Sequence, residues 1–392
     1  MPVVNQNTSE SHPDTFFPDQ TFYLACLNGD LDQVEKSLAE GVNVNAVMTA
    51  DLTALMLASR SGHTDVVERL INAGANLDTA RSNGATPLFI AAEYGNTDCV
   101  KRLINAGADL DATLSDGATP LLVAAAKGNT ECVELLIKAG ALLDAQTSQG
   151  ATPLFIASQE GNTDCMKMLI NAGADLNART EDGATPLFIV VQKNNIDSLK
   201  ILIEAEADLN IRIKSGASPT FIAAQNGNTD CLILLIEAGA DLNAARIEDG
   251  ATPLFIAAQQ NNIDSLKILI EAKADINAQF EDGATPLFIA AQENNTECVQ
   301  LLINAGADLN ARTSDGTTPL LMAAQQNNID SLKILINAGA DLDADRTSDG
   351  ATPLSIALMM GNTHCVRLLI NTGEKQAAGA VKETEERSCA IQ

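Results

Sequence analysis

Tryptophan is absent from this chain, and aromatic residues of all kinds make up 3% of its 392 positions. A core short of large rings has to be assembled from Ala, Leu and Ile in thin layers, a composition suited to short helices stacked closely together. Histidine is almost as scarce. His12 lies in the N-terminal stretch, and His63 and His364 stand some 300 positions apart, so no triad or metal cluster can be assembled from them. Positive charge is also in deficit: 24 Lys and Arg face 51 Asp and Glu, for a formal net charge of −27. A phosphate backbone is held by clustered Lys and Arg, so this balance argues against nucleic acid and favours a protein partner with a basic or polar surface. No apolar run approaches the roughly 18 residues of a membrane-spanning helix, and Met1 to Gln20 has neither a basic n-region nor an apolar h-region. The chain is accordingly expected to be soluble and cytoplasmic, with no span of its own. The phosphate-cradling pattern Gly-x-x-x-x-Gly-Lys-Ser/Thr is missing too. Without an acid, base and nucleophile in one constellation, no enzyme, cofactor or metal is expected.

The eight cysteines carry a different message. Cys99, Cys132, Cys165, Cys231, Cys298 and Cys365 recur at one position of a repeating unit, a position that elsewhere holds Ser198, Ser265 and Ser331. Equivalent helices in adjacent units pack about 8–10 Å apart, beyond the Cα separation a disulfide spans. These are expected to be buried thiols where a small side chain is required.

What the sequence has in abundance is repetition. Thr-Pro-Leu or a close variant begins at residues 53, 86, 119, 152, 185, 218, 252, 285, 318 and 352, a spacing of 33 with 34 at two joints. A divergent first copy starts near Gln20, where Phe22-Tyr23-Leu24-Ala25-Cys26 keeps the apolar pattern, giving about eleven repeats between residues 20 and 373. In Asp282-Gly283-Ala284-Thr285-Pro286-Leu287, Asp-Gly supplies a tight turn, Thr an N-cap oxygen, and Pro the first helical position. Nine residues after each Thr stands Gly62, Gly95, Gly128, Gly161, Asn194, Gly227, Asn261, Asn294, Asn327 or Gly361. Only Gly and Asn occur there, the residues that tolerate the left-handed conformation ending a helix. A second helix follows, as in Glu297 to Asn304, closed by Ala305-Gly306-Ala307-Asp308. Helices this short are not stable alone, so stability belongs to the stack.

The pattern Asp-Gly-x-Thr-Pro-Leu-x-x-Ala-Ala-x-x-Gly, with Leu-Leu/Ile-x-x-Gly-Ala-Asp-x-Asn after it, resembles the ankyrin repeat over nearly the whole chain. The resemblance implies an all-α solenoid of helix-turn-helix and β-hairpin units over residues 20–373. It further implies a non-enzymatic scaffold that grips partner proteins with its hairpin fingers and first helices, and a monomer is expected. Residues 1–19 read as a disordered polar segment and 374–392 as a flexible tail. Where the family usually has His after Thr-Pro-Leu, this chain has Phe89, Leu122, Phe155, Phe188, Phe221, Phe255, Phe288 and Leu321. This apolar ladder is expected to pack between repeats with consecutive rings stacking, the other reading being a stripe that faces the partner. Second helices alternate between Asn-Ile-Asp-Ser-Leu-Lys-Ile-Leu-Ile, at 195–203, 262–270 and 328–336, and an Asn-Thr-Asp/Glu/His-Cys type. The array therefore grew by duplicating pairs.

Candidate partner-facing residues follow from the family pattern. Two positions before the helix-ending residue, Gln159, Gln192, Gln225, Gln259, Gln292 and Gln325 form a column able to read an extended or repetitive partner. Tyr94 adjoins the equivalent position of an earlier repeat. Glu181, Glu248 and Glu281 form an acidic edge at the finger tips beside Asp residues that turn chemistry alone explains. In the last repeat Leu358 stands where Ala92, Ala125, Ala224, Ala258, Ala291 and Ala324 stand elsewhere, and Met359 and Met360 beside it leave that end less polar than a cap should be. The tail or a partner is expected to cover it.

Cys389-Ala390-Ile391-Gln392 has the C-a-a-X form of a prenylation site, with Gln favouring farnesyl. One such chain gives only reversible, peripheral membrane binding, because the tail lacks a polybasic stretch. Lys382-Glu383-Thr384-Glu385-Glu386-Arg387-Ser388 also resembles the glutamate-rich C-terminal signals of effectors that intracellular bacteria inject into host cytosol. Such an effector would capture a host protein at a membrane, and a purely structural spacer is the third reading.

Glu206 and Lys273 occupy positions where Gly usually ends the second helix, and Thr220 replaces a buried Leu. Two departures thus coincide between residues 204 and 220, which reads as the weakest joint and a hinge, the other reading being neutral drift in a redundant array. Amide hydrogen exchange is expected to run faster there than in the flanking repeats, and uniform protection across repeats six to eight contradicts it.

Overall fold

The structure, a computed structural model, describes residues 18–374, and the residues it describes are helical throughout with no paired strands. The segments 1–17 and 375–392, including Cys389, lie outside them. No helix among the described residues is long and apolar enough to cross a membrane. The described chain forms two compact units that divide after Ala178.

The first unit contains five helix pairs: Pro18–Asn28 with Leu31–Ala39, Ala54–Ser61 with Thr64–Asn72, Pro87–Glu93 with Thr97–Asn105, Pro120–Lys127 with Thr130–Ala139, and Pro153–Glu160 with Thr163–Ala172. The second unit contains six: Pro186–Gln192 with Ile196–Glu204, Pro219–Asn226 with Thr229–Glu237, Pro253–Gln259 with Ile263–Glu271, Pro286–Gln292 with Thr296–Asn304, Pro319–Gln326 with Ile329–Ala338, and Pro353–Met359 with a helix over 363–374. Within each unit first helices pack on neighbouring first helices and second on second.

Local chemistry starts and stops each pair. The hydroxyl at the head of every first helix from Thr53 onward accepts the backbone N–H three residues on, for instance Phe89 N to Thr86 Oγ1 at 3.2 Å and Phe255 N to Thr252 Oγ1 at 3.2 Å. The column that ends these helices is left-handed, with Asn194, Asn261 and Asn294 at φ 56° and Asn327 at 61° beside glycines at similar angles. The turn before Thr is closed by a side chain: Asp116 Oδ1 accepts from Ala118 N at 3.1 Å, and Asp282 Oδ1 from Ala284 N at 2.9 Å. Adjacent fingers are joined by single main-chain bonds, such as Ser148 N to Asp116 O at 2.6 Å. The β-hairpins expected from the pattern are closed turns: within a finger a single bond such as Thr147 N to Ala151 O at 3.0 Å crosses above the turn, too few to make a ladder.

Two side-chain ladders fasten neighbouring repeats. Asn129 Nδ2 donates to Ala92 O at 2.8 Å and Glu93 O at 3.1 Å in the preceding first helix. Asn96 and Asn162 do the same in the first unit, and Asn262, Asn295, Asn328 and Asn362 in the second. Asn228 reaches Val191 O, and His63 takes the place in the second repeat, its Nε2 lying 2.9 Å from Leu27 O. The carbonyls so satisfied belong to the last turn of a helix, where the regular ladder stops; some also accept a long bond from the closing residue, as Ala92 O does from Gly95 N at 3.4 Å. At the finger base, Asp109 Oδ1 accepts from Asp111 N, and Asp111 Oδ1 accepts from Leu142 N of the next repeat at 2.9 Å. The same relay runs Asp241, Asn243, Asp275 and Asp275, Asn277, Asp308 in the second unit.

The core consists of the predicted thin layers. Leu88, Leu121, Leu154, Leu187, Leu254, Leu287 and Leu320 are fully buried, with the paired alanines behind them. The Phe and Leu ladder is buried as well, which removes the partner-facing reading. Its rings do not stack on one another among the described residues, because a repeat spacing of about 8–10 Å exceeds the reach of two rings. Phe255 instead stacks on the finger residue Phe280, with centroids 4.9 Å apart.

Thr220 is no packing fault. It is fully buried, and its hydroxyl donates to Asp241 O at 2.9 Å and lies 3.2 Å from Ser218 Oγ, so nothing polar is stranded. The case for a weak joint then rests on Glu206, held at φ 63°, a strain it shares with Lys273 at 65°. A buried mismatch lies elsewhere. Ser331 Oγ donates to Asn294 Oδ1 of the preceding repeat at 2.8 Å, and Cys231, Cys298 and Cys365 donate to Asn194, Asn261 and Asn327 in the same way. Ser265 follows Gly227, and its buried hydroxyl has no partner among the described residues.

Replacing Glu206 or Lys273 by Gly is expected to stabilise the chain by about 1 kcal/mol each, read as a higher urea midpoint. Gly227→Asn, at φ 69° with its new Cβ 3.3 Å from Asn262 Oδ1, is expected to give Ser265 its acceptor and add about 1 kcal/mol. Gly95→Asn is expected to destabilise, since its Cβ falls 2.8 Å from Asn129 Oδ1 and would push the joint's amide out of place.

Candidate functional site

The C-terminal turn of each first helix is where fixed backbone meets exposed side chain. The carbonyls of Gln225, Gln259, Gln292 and Gln325 are all engaged by the asparagine of the following repeat. Their side chains are half-buried, whereas Gln192 and the next position, Lys193, Asn226, Gln260, Glu293 and Gln326, are exposed. In the first unit Gln159 is half-buried and donates to Glu160 Oε1 at 2.9 Å. The second unit therefore carries five Gln of the column in consecutive repeats, and the first unit one. Tyr94 is 50% exposed, and the Arg60 guanidinium sits 5.2 Å from its ring centre.

The finger bases overlook this column. In the two fingers lengthened by one residue, the chain closes over five residues, with Gly250 N donating to Arg246 O and Gly350 N to Arg346 O. That turn swings an arginine inward. The Arg246 guanidinium lies 4.9 Å from the Phe221 ring and is gripped by both oxygens of Asp249. Arg346 is held the same way by Asp349, and its Nη1 donates to Gln325 Oε1 at 3.4 Å. The hydrogen bond from Arg346 holds the Asp349 carboxyl down at about 2, and the one from Arg246 lowers Asp249 likewise. In fingers of ordinary length the arginine reaches sideways, as Arg212 Nη1 does to Ala245 O at 2.9 Å. Neither arginine was singled out from the sequence; the extra residue at those two joints was the signal.

Glu181, Glu248 and Glu281 are exposed at the finger tips, while the Asp that follows Glu248 and Glu281 in each case closes the turn. Leu358, Met359 and Met360 are 59%, 72% and 56% exposed at the end of the second unit, and the alanines equivalent to Leu358 are buried in other repeats.

The described cysteines are free and buried. Burial pushes the Cys26 thiol up to about 12 and Cys231 and Cys298 up to about 11, and raises Cys99, Cys132, Cys165 and Cys365 as well. Shallow clefts of about 220 Å³ beside Cys165 and about 290 Å³ beside Ser265 separate successive second helices. Among the described residues, no group of three or more His, Cys, Asp and Glu is placed to share a metal ion.

A family model described as ankyrin repeats (3 copies) matches residues 22–114, 107–180, 176–246, 244–313 and 306–380. A search of curated proteins found no match.

The raised thiols set a pH dependence. A thiol whose folded value lies above its unfolded value of 9.0 favours the fold fully below pH 9, and that contribution is lost as pH rises toward the folded value of about 11. Urea midpoints are expected to fall between pH 9 and 11, and less steeply in Cys26→Ala/Cys231→Ala/Cys298→Ala; an unchanged slope contradicts the assignment.

Proposed function

The chain belongs to the ankyrin-repeat family, whose repeats form protein–protein interaction modules, and from that premise we propose that it is a non-enzymatic scaffold for a protein with a basic or polar surface. The observation that carries this reading is the pairing of a glutamine column with an edge of exposed Glu181, Glu248 and Glu281 in the second unit. Both sit on backbone that neighbouring repeats hold fixed, so little ordering is required on binding. The excess of negative charge speeds the approach of a basic partner, and the amides then supply uncharged donors and acceptors.

The proposal extends to membranes through Cys389, on the strength of its sequence context alone. Farnesylation at this cysteine, which requires Cys389-Ala390-Ile391-Gln392 to stand at a free carboxyl end, would give a weak and reversible anchor that the bound protein completes.

A crosslinked pulldown is expected to recover a partner whose association slows as salt rises. Glu181→Lys/Glu248→Lys/Glu281→Lys is expected to cut the association rate about tenfold. A rate indifferent to salt and to charge reversal refutes the electrostatic part. In eukaryotic cells given a farnesyl analogue, label is expected on the native chain and not on Cys389→Ser; equal labelling rules out lipidation at this cysteine.

A further inference from the structure

In the second unit, Gln192, Gln225, Gln259, Gln292 and Gln325 lie on five successive first helices. Four of them have the backbone carbonyl pinned by the following asparagine, so the height of each side chain above the repeat is set by the fold. Gln192, Gln225 and Gln259 make no side-chain hydrogen bond among the described residues. Gln325 has its oxygen engaged by Arg346, which leaves its N–H groups to donate. Gln292 shares one N–H with Glu293 Oε1 at 3.2 Å. The column is therefore a row of amide donors spaced by one repeat, about 8–10 Å for packed helices.

That spacing selects among backbone shapes. A β-strand presents the same side every two residues, about 6.7 Å, and falls out of step after one repeat. A polyproline II helix has three residues per turn at about 3.1 Å each, so one turn advances about 9 Å and matches the row. Its backbone makes no internal hydrogen bonds, so each turn offers a carbonyl to an amide donor. Charge fixes the rest of the occupant. Arg246 and Arg346 at the border are already met by Asp249 and Asp349, whereas Glu248 and Glu281 at the finger tips and Glu293 next to Gln292 remain exposed.

We propose that the second unit binds an extended segment of its partner in the polyproline II conformation, one turn per repeat, with the glutamine amides donating to its carbonyls. The segment is proline-rich and carries Lys or Arg toward the finger tips. This rests on the protein-binding reading above and names the chemistry of the partner.

The test uses the full chain and two labelled peptides, one of five Pro-Pro-Lys triplets and one of five Gly-Ser-Lys triplets with the same charge and no polyproline preference. Fluorescence anisotropy is expected to show the proline peptide binding about tenfold more tightly, and Gln259→Ala/Gln292→Ala is expected to remove about tenfold of its affinity without moving the urea midpoint. Equal binding of the two peptides, indifference to the double substitution, or no saturable binding of the proline peptide overturns the proposal. A chain that captures a folded basic protein while ignoring the proline peptide keeps the scaffold reading and loses this one; a chain that binds neither loses both.

Discussion

First helices end in carbonyls that no following turn of helix takes up, and within each unit most of these ends are met by an asparagine from the next repeat. Asn129, Asn162, Asn262, Asn295, Asn328 and Asn362 each bridge two such carbonyls at 2.6–3.1 Å. The debt of one repeat is thus settled by its neighbour. Helices this short are unstable in isolation, and a repeat whose last turn takes part of its hydrogen bonding from a neighbour has a second reason to fold with company. The relay of Asp and Asn at the finger bases repeats the arrangement on the other side of the helix pair.

The same constraint connects stability to display. The carbonyls that the asparagines hold are those of the glutamine column and of the residue before it, so what fastens two repeats also fixes the outward amides. The lengthened fingers add a second fixed feature by folding Arg246 and Arg346 back over the first helices. On the proposed reading, a partner would meet preset chemistry at a preset spacing.

Much of this is legible in the sequence because it is local. Thr before Pro, Asp before Gly, and a column restricted to Gly and Asn each encode a cap, a turn or a left-handed residue within a few positions, and the structure has them there. Links across 36 or 37 residues are harder to read: the recurring Asn before the second helix acts on the preceding repeat, and nothing within a few positions of it encodes that. The stacked phenylalanines failed on spacing, and the fault at Thr220 dissolved because a carbonyl from further along accepts its hydroxyl. The dependence of Ser331 on Asn294, and the stranding of Ser265 after Gly227, couple two columns that look independent when each is read alone. Of the candidate site, the acidic tips and the glutamines were visible as columns, while the inward arginines were not.

The asparagine amide joins two repeats into one cooperative element, and Asn295, which ties the repeat at 285 to the one at 252, is the place to test this. Native-state hydrogen exchange on Asn295→Leu should show protection lost together in Pro253–Gln259 and in Pro286–Gln292 with Thr296–Asn304. If protection changes only at the substituted residue, or not at all, the amide is an ornament on a stack held by apolar packing alone, and the account is wrong.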